Sequence, residues 1–127
     1  MAYIDGFIIP VHSNSKLAYL EFAQKAAAIF IEYGANRVME SLGEDIKAGK
    51  TNDFRTAIIA QDQEEVVFSW IEWPSKEVRD AGTHKAMNDP RMQIDGAFPF
   101  AAERLIYGGF VPILDVSAKK EALKNAQ

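Results

Sequence analysis

The chain contains no cysteine, which removes disulfides, thiolate nucleophiles and thiolate metal sites together. Histidine is almost as scarce. His12 and His84 stand far apart, with no HxxxH or HxH spacing, so neither a metal site nor a cofactor is expected. Basic charge is the minority: 14 Lys and Arg against 18 Asp and Glu leave a net −4, and no basic run exceeds Lys119-Lys120. Binding to a phosphate backbone needs clustered Lys and Arg, so no nucleic-acid partner is expected. No hydrophobic run reaches membrane length. The opening MAYIDG lacks a basic region before an apolar core, which points to a cytoplasmic protein with neither signal peptide nor membrane span. Two enzyme motifs also fail. Gly49-Lys50-Thr51 resembles the end of a phosphate-binding loop, but five residues separate it from Gly43 where the motif needs four, and Glu44 and Asp45 would repel phosphate. No serine sits on a GxSxG elbow.

What is present is one domain's worth of chain, 127 residues with nearly half of them hydrophobic. Glu65 to Arg91 organises it: a strand-like EEVVFSWIEWP, then a helical SKEVRDAGTHKAM stopped by Asn88-Asp89-Pro90. Along the strand, Val67, Ser69, Ile71 and Trp73 share one face, and Val66, Phe68, Trp70 and Glu72 share the other. Both faces carry large apolar groups. Helices can cover one; a second copy of the chain is the expected cover for the other.

The remaining elements follow in order. AYIDGFIIPV (Ala2 to Val11) reads as a first strand ended by Pro10. A long helix from Ser15 to Tyr33 follows, with Ser13 or Asn14 as its cap. Phe22, Ala26, Ile29, Phe30 and Tyr33 form its apolar stripe, widened by Leu17, Leu20, Ala27 and Ile31. Gly34 suits the left-handed position after it. Ala35 to Leu42 is a second strand and Gly43 to Asp53 a polar loop. Phe54 to Ala60 reads as a short extra strand in a hairpin with Val66–Trp73, with a helix as the alternative. The second helix opens at Pro74-Ser75 with Ser75 as cap, and its apolar face, Val78, Ala81 and Ala86, is thin. After an irregular Pro90 to Ala102, Glu103 to Leu114 is a last strand bent at Gly108-Gly109. The expected fold is α+β: a ferredoxin-like split βαβ with one extra strand and two helices on one face of an antiparallel sheet. Residues 1–116 form this domain and 117–127 a polar tail.

Charges embedded in apolar strands mark where a site could lie. Asp5, Glu40, Glu72 and Arg104 must pair, reach solvent or line a cavity, because isolated buried charge is expensive. One reading makes them structural pairs, such as Arg104 or Arg37 with a carboxylate. The other makes Asp5, Glu72, Arg104 and His84 the polar groups of a pocket between sheet and helices, walled by Tyr3, Trp70, Trp73 and Tyr107. Such a pocket suits a small apolar or aromatic ligand. His84 is also what a solvated helix face looks like, and Ser69 reads as a space-filler beside the tryptophans.

At VVFSWIEWPSK, RDAG, NDPRM and ERLIYGGFVPILD the chain resembles the YbaA-like family of bacterial proteins of unknown function, over roughly residues 2 to 115. The resemblance implies the dimeric α/β-barrel superfamily, in which two ferredoxin-like sheets close into a barrel across a two-fold axis. Superfamily relatives include cofactor-independent monooxygenases, small-molecule lyases and dehydratases, and haem-degrading enzymes, and many carry a histidine late in the second helix, near the position of His84. The family itself implies no activity. It leaves a small-molecule enzyme or binder and a non-catalytic dimeric protein as the two readings, with RNA binding a third that the acidic charge opposes.

Overall fold

The computed structural model describes residues 1–118; the expected polar tail lies almost wholly outside them. Four strands, β1 (Tyr3–His12), β2 (Arg37–Leu42), β3 (Glu64–Trp73) and β4 (Ile106–Phe110), form one antiparallel sheet in the order β2-β3-β1-β4. Helix α1 (Lys16–Glu32) and helix α3 (Lys76–Met87) complete the βαββαβ order, and α2 (Phe54–Ala57) is a single turn between β2 and β3. Among the described residues this is the ferredoxin-like plan without a fifth strand.

The extra strand expected at Phe54 to Ala60 does not form. Asp53 caps a helical turn by accepting from the Thr56 amide at 2.8 Å, while the Thr56 hydroxyl accepts from the Asp53 amide at 2.9 Å. Ile59 then turns the chain at φ 50°. Arg55 locks the turn by donating to the carbonyls of Glu64 and Gln61. Two local hydrogen-bonding devices thus outcompete a short apolar run that had strand composition.

Pairing of Tyr3 with Trp73 and of His12 with Glu64 sets the register of β1 on β3. Tyr3, Asp5, Phe7, Ile9 and Val11 therefore share a face with Val67, Ser69, Ile71 and Trp73. The core lies under that face, in two clusters. Ile9, Val11 and Val67 pack with Tyr19 and Ala23 of α1; Tyr3, Ile71 and Trp73 pack with Ala35, just ahead of β2. The buried stripe of α1 is Tyr19, Ala23, Ala26 and Ile29, rotated from the expected one: Leu17, Leu20 and Ile31 are exposed. A short 3₁₀ turn at Ser13–Ser15 precedes α1, so Ser15 occupies its cap position and the His12 ring accepts from the Asn14 amide. Gly34, at φ 117°, takes the left-handed position after the helix. Ser75 caps α3 through the Val78 amide.

α3 approaches the sheet closely because Gly82 has no side chain. A Cβ there would meet Trp73 Cζ3 and the Tyr33 carbonyl at 2.6 Å. Trp73, fully buried, fills the space that Gly82 leaves.

Among the described residues the opposite face has no long helix over it; the single turn α2 touches one end, where Phe54 meets Phe68 edge-on at 6.1 Å. Ile4, Gly6 and Ile8 lie beside Trp70 and Phe68 on β3 and Phe110, Gly108 and Ile106 on β4. These residues, with Tyr107, Val111 and Pro112, border an apolar groove of about 560 Å³. Beyond β4 the chain stays apolar and open: Ile113 is 98% and Leu114 81% exposed.

Candidate functional site

The eight residues singled out from the sequence fall in separate places. Asp5 is buried beneath α3, where it accepts from Trp73 Nε1 at 2.9 Å and from Arg79 Nε at 3.0 Å. Tyr3 completes this group, with the Arg79 guanidinium 4.7 Å from its ring centroid. Gly109 of β4 closes against it: a Cβ at that position would collide with Arg79 and the Tyr3 hydroxyl. Asp5, Tyr3 and Trp73 are thus brought together, with Arg79 as a cation that sequence reading missed. Its position on a thin, charged helix face gave no signal for it.

Arg104 lies at the far end of the sheet, paired with Glu64 by two hydrogen bonds of 2.7 and 2.5 Å. This pair holds the Glu64 carboxyl well below its ordinary range, at about 2. Glu72 and Trp70 meet on the open face, Trp70 Nε1 donating to Glu72 Oε2 at 2.8 Å. Arg37 reaches the same carboxylate only at 3.9 Å. Tyr107 is exposed at the rim of the open groove, stacked 6.0 Å from Phe7. His84 is exposed on α3 and borders neither large pocket.

A second cavity, of about 620 Å³, lies between α1 and the sheet. Its floor is Phe7, Ile9, Val38 and Ile71, and its α1 wall runs from Tyr19 to Phe30. The third wall comes from the irregular segment after α3. Phe98 and Phe100 fold back there onto α1, with ring centroids 6.1 and 5.5 Å from Phe22. Phe100 also meets the edge of Tyr19 at 5.9 Å. The alanines of α1, Ala23, Ala26 and Ala27, leave the room.

Besides Gln93 on the third wall, the polar side chains of this cavity form one cluster. Tyr19 Oη donates to Glu40 Oε1 at 2.6 Å, and Ser69 Oγ donates to Glu40 Oε2 at 2.9 Å. Three elements supply the three residues. Glu40 and Ser69 are direct cross-strand partners on β2 and β3, and Tyr19 sits one helical turn into α1. Ser69 is therefore a hydrogen-bond donor, where its sequence context suggested a space-filler. Glu40 keeps an exposed flank along the sheet edge while both its oxygens are engaged. Desolvation raises its pKa above the ordinary glutamate value, against the opposing effect of the two hydroxyl donors. The Tyr19 phenol is pushed far above its usual range by burial and by the adjacent carboxylate. At neutral pH the phenol is a fixed donor.

Among the described residues, no group of three or more His, Asp or Glu converges as a metal site. No helix there is long and apolar enough to cross a membrane.

Residues 2–102 match the family model described as "Protein of unknown function (DUF1428)". The chain is 53% identical over 116 residues to the uncharacterized protein YbaA of Escherichia coli (strain K12), covering 91% of this chain and 99% of the relative. The same figures hold for YbaA of Shigella flexneri. Two solved structures share the fold at low identity. SnoaB, a cofactor-independent oxygenase from Streptomyces nogalater, matches with a TM-score of 0.53 and 11% identity, over 91% of this chain and 96% of that one. An uncharacterized NIPSNAP domain protein from Burkholderia xenovorans matches at 0.54 and 18%, over 91% and 98%. These likenesses agree with the fold described above, a ferredoxin-like α+β domain.

Proposed function

The chain belongs to the DUF1428 family of proteins of unknown function, and on that premise we propose that it binds a small, flat, largely apolar molecule between α1 and the sheet. The observation that carries this reading is the 620 Å³ cavity, walled by aliphatic and aromatic side chains and provided with one hydrogen-bonded polar cluster, Tyr19, Glu40 and Ser69. Ligand sites combine these features: apolar walls for affinity and a few placed polar groups for orientation. A fold neighbour that is a cofactor-independent oxygenase supports the idea that a pocket in this fold works without a bound metal or coenzyme.

In the same reading the working form is a homodimer, closed over the open sheet face. Phe68, Trp70, Ile106 and Phe110 present there an apolar surface of the kind that marks an interaction site. Trp70, Glu72 and Tyr107 then belong to the interface, and Asp5, Tyr3 and Trp73 to the frame that seats α3. Arg104 fixes the turn before β3, and His84 stays on the outer surface.

Titration with neutral aromatics of naphthalene and anthracene size, followed by melting temperature, tests the pocket. A ligand at a hundred times its Kd stabilises by about 2.7 kcal/mol, a rise of several degrees for a domain of this size. Ala27→Trp, which fills the cavity, should abolish that rise while the variant remains folded. Equal shifts in parent and variant, or none across the series, would overturn the reading.

A further inference from the structure

The character of the pocket's charge names the class of its ligand, an inference that rests on the pocket reading above. Among the described residues around the cavity, Glu40 alone carries a formal charge. Its two hydrogen-bond donors, the hydroxyls of Tyr19 and Ser69, are both neutral. Among the described residues, the cations nearest this end of the sheet are engaged elsewhere. Lys16, one turn before Tyr19, pairs with Glu65 at 3.2 Å. Arg37 is on the other face of β2, beside Glu72. Farther off, Arg79, Arg91 and Arg104 are bonded to Asp5, Asp89 and Glu64. The carboxylate therefore has no cationic partner among the described residues, and it stands at the edge of a chamber built from Phe7, Phe22, Phe30, Phe98 and Phe100.

The two features select in the same direction. A carboxylate repels an anion and gains little from a neutral molecule beyond a hydrogen bond. A cation gains from the carboxylate, and also from the electron-rich rings if it lies over them. An apolar body of one or two rings fills the remaining volume. We infer that the pocket takes an organic cation, a hydrophobic amine whose nitrogen lies against Glu40 and whose apolar body lies among the phenylalanines.

The same charge sets the pH response. The groups facing Glu40 are Tyr19 from α1 and Ser69 from β3, with Lys16 bordering the adjoining groove. Tyr19 stays protonated throughout the neutral range, so Glu40 is the group that titrates. A bound cation favours its ionised form, and affinity for the cation falls as pH drops through the raised Glu40 pKa.

Three probes with one ring system separate the possibilities: 2-naphthylmethylamine as its ammonium ion, 2-naphthylmethanol, and 2-naphthoate, each titrated calorimetrically at pH 7. The ammonium ion should bind roughly tenfold more tightly than the alcohol, and naphthoate more weakly than either. In Glu40→Gln, checked for folding by its own urea transition, the ratio of ammonium to alcohol affinity should fall to about one, with the alcohol itself retained. In the parent protein, lowering the pH from 7 to 4 should weaken the ammonium ion and leave the alcohol unchanged. That second measurement decides the matter even if Glu40→Gln does not fold. Equal binding of alcohol and ammonium ion, or a ratio that survives Glu40→Gln, overturns the choice of a cation and leaves the pocket standing. Failure of all three probes to bind overturns both.

Discussion

The two faces of this sheet are almost equally apolar and differ in how their polar groups are treated. On the helix face each embedded polar side chain is matched. Asp5 takes Trp73 and Arg79, and Glu40 takes Tyr19 and Ser69. Among the described residues no buried side-chain nitrogen or oxygen lacks a partner. On the open face the polar groups stay at the ends of the strands, Glu72 held by the indole of Trp70 at one and Glu64 by Arg104 at the other, with Ile4, Ile8, Phe68, Ile106 and Phe110 between them. A face that must orient something small keeps placed polar groups. A face that must meet a large apolar surface does without them, since each unpaired one would be desolvated at a loss. The contrast supports the proposal of a ligand on the helix side and a second copy on the open side.

The strongest way to break the helix-side arrangement is to empty its centre. Trp73→Ala removes the largest fully buried side chain together with a donor to Asp5, and should cost about 3–5 kcal/mol in a urea transition. Gly82→Ala attacks the same contact from above, where the new methyl meets Trp73 and the Tyr33 carbonyl; a loss of about 1–3 kcal/mol is expected. On the open face, Phe68→Asp should leave the fold intact and raise the dimer dissociation constant at least about a hundredfold by sedimentation. Leu17→Asp, an equally drastic change at an exposed position on α1, should not alter assembly.

Smaller effects sharpen the contrast through pH. Glu64, with its folded pKa lowered to about 2 by Arg104, contributes stability that is complete above its unfolded pKa and lost as pH falls towards 2. Arg104→Ala should therefore narrow the stability difference between pH 6 and pH 3. Glu40 has the opposite sign. Its folded pKa is raised, so ionising it costs stability as pH rises above the unfolded value. Glu40→Gln should be neutral near pH 4 and neutral to mildly stabilising at pH 7. Glu72 is the weakest case. Arg37 is 3.9 Å away and mostly exposed, so Glu72→Gln should change monomer stability by no more than about 1 kcal/mol, well under the loss that a close pairing with an arginine would give.

The main elements were legible because their signals are local. Alternation along Val66 to Trp73, the capping serine at Ser75 and the glycine after α1 each act within a few residues. The cover over Trp73 and the Tyr19–Glu40–Ser69 cluster were not legible, because register decides them. Glu40 meets Ser69 only once β2 is paired on β3. Tyr19 meets both only if α1 is rotated towards its small residues, away from Leu17 and Leu20. Ala26 and Ile29 belong to both the expected and the observed stripe, while Tyr19 and Ala23 replace Leu17 and Leu20 on its buried side. The misread turn at Phe54 has the same lesson in reverse: its capping pair, Asp53 and Thr56, was present in the sequence at the right spacing.

Methyl NMR of the parent protein tests the division between the faces most directly. Ala26, Ala27, Ile9 and Ile71 report on the cavity under α1; Ile4, Ile8 and Ile106 report on the open face. Adding 2-naphthylmethylamine at pH 7 should shift the first set and leave the second in place, whereas Phe68→Asp should shift the second set and leave the first. Ligand-induced shifts confined to Ile4, Ile8 and Ile106 would contradict the account, placing the small-molecule site on the face assigned to the partner.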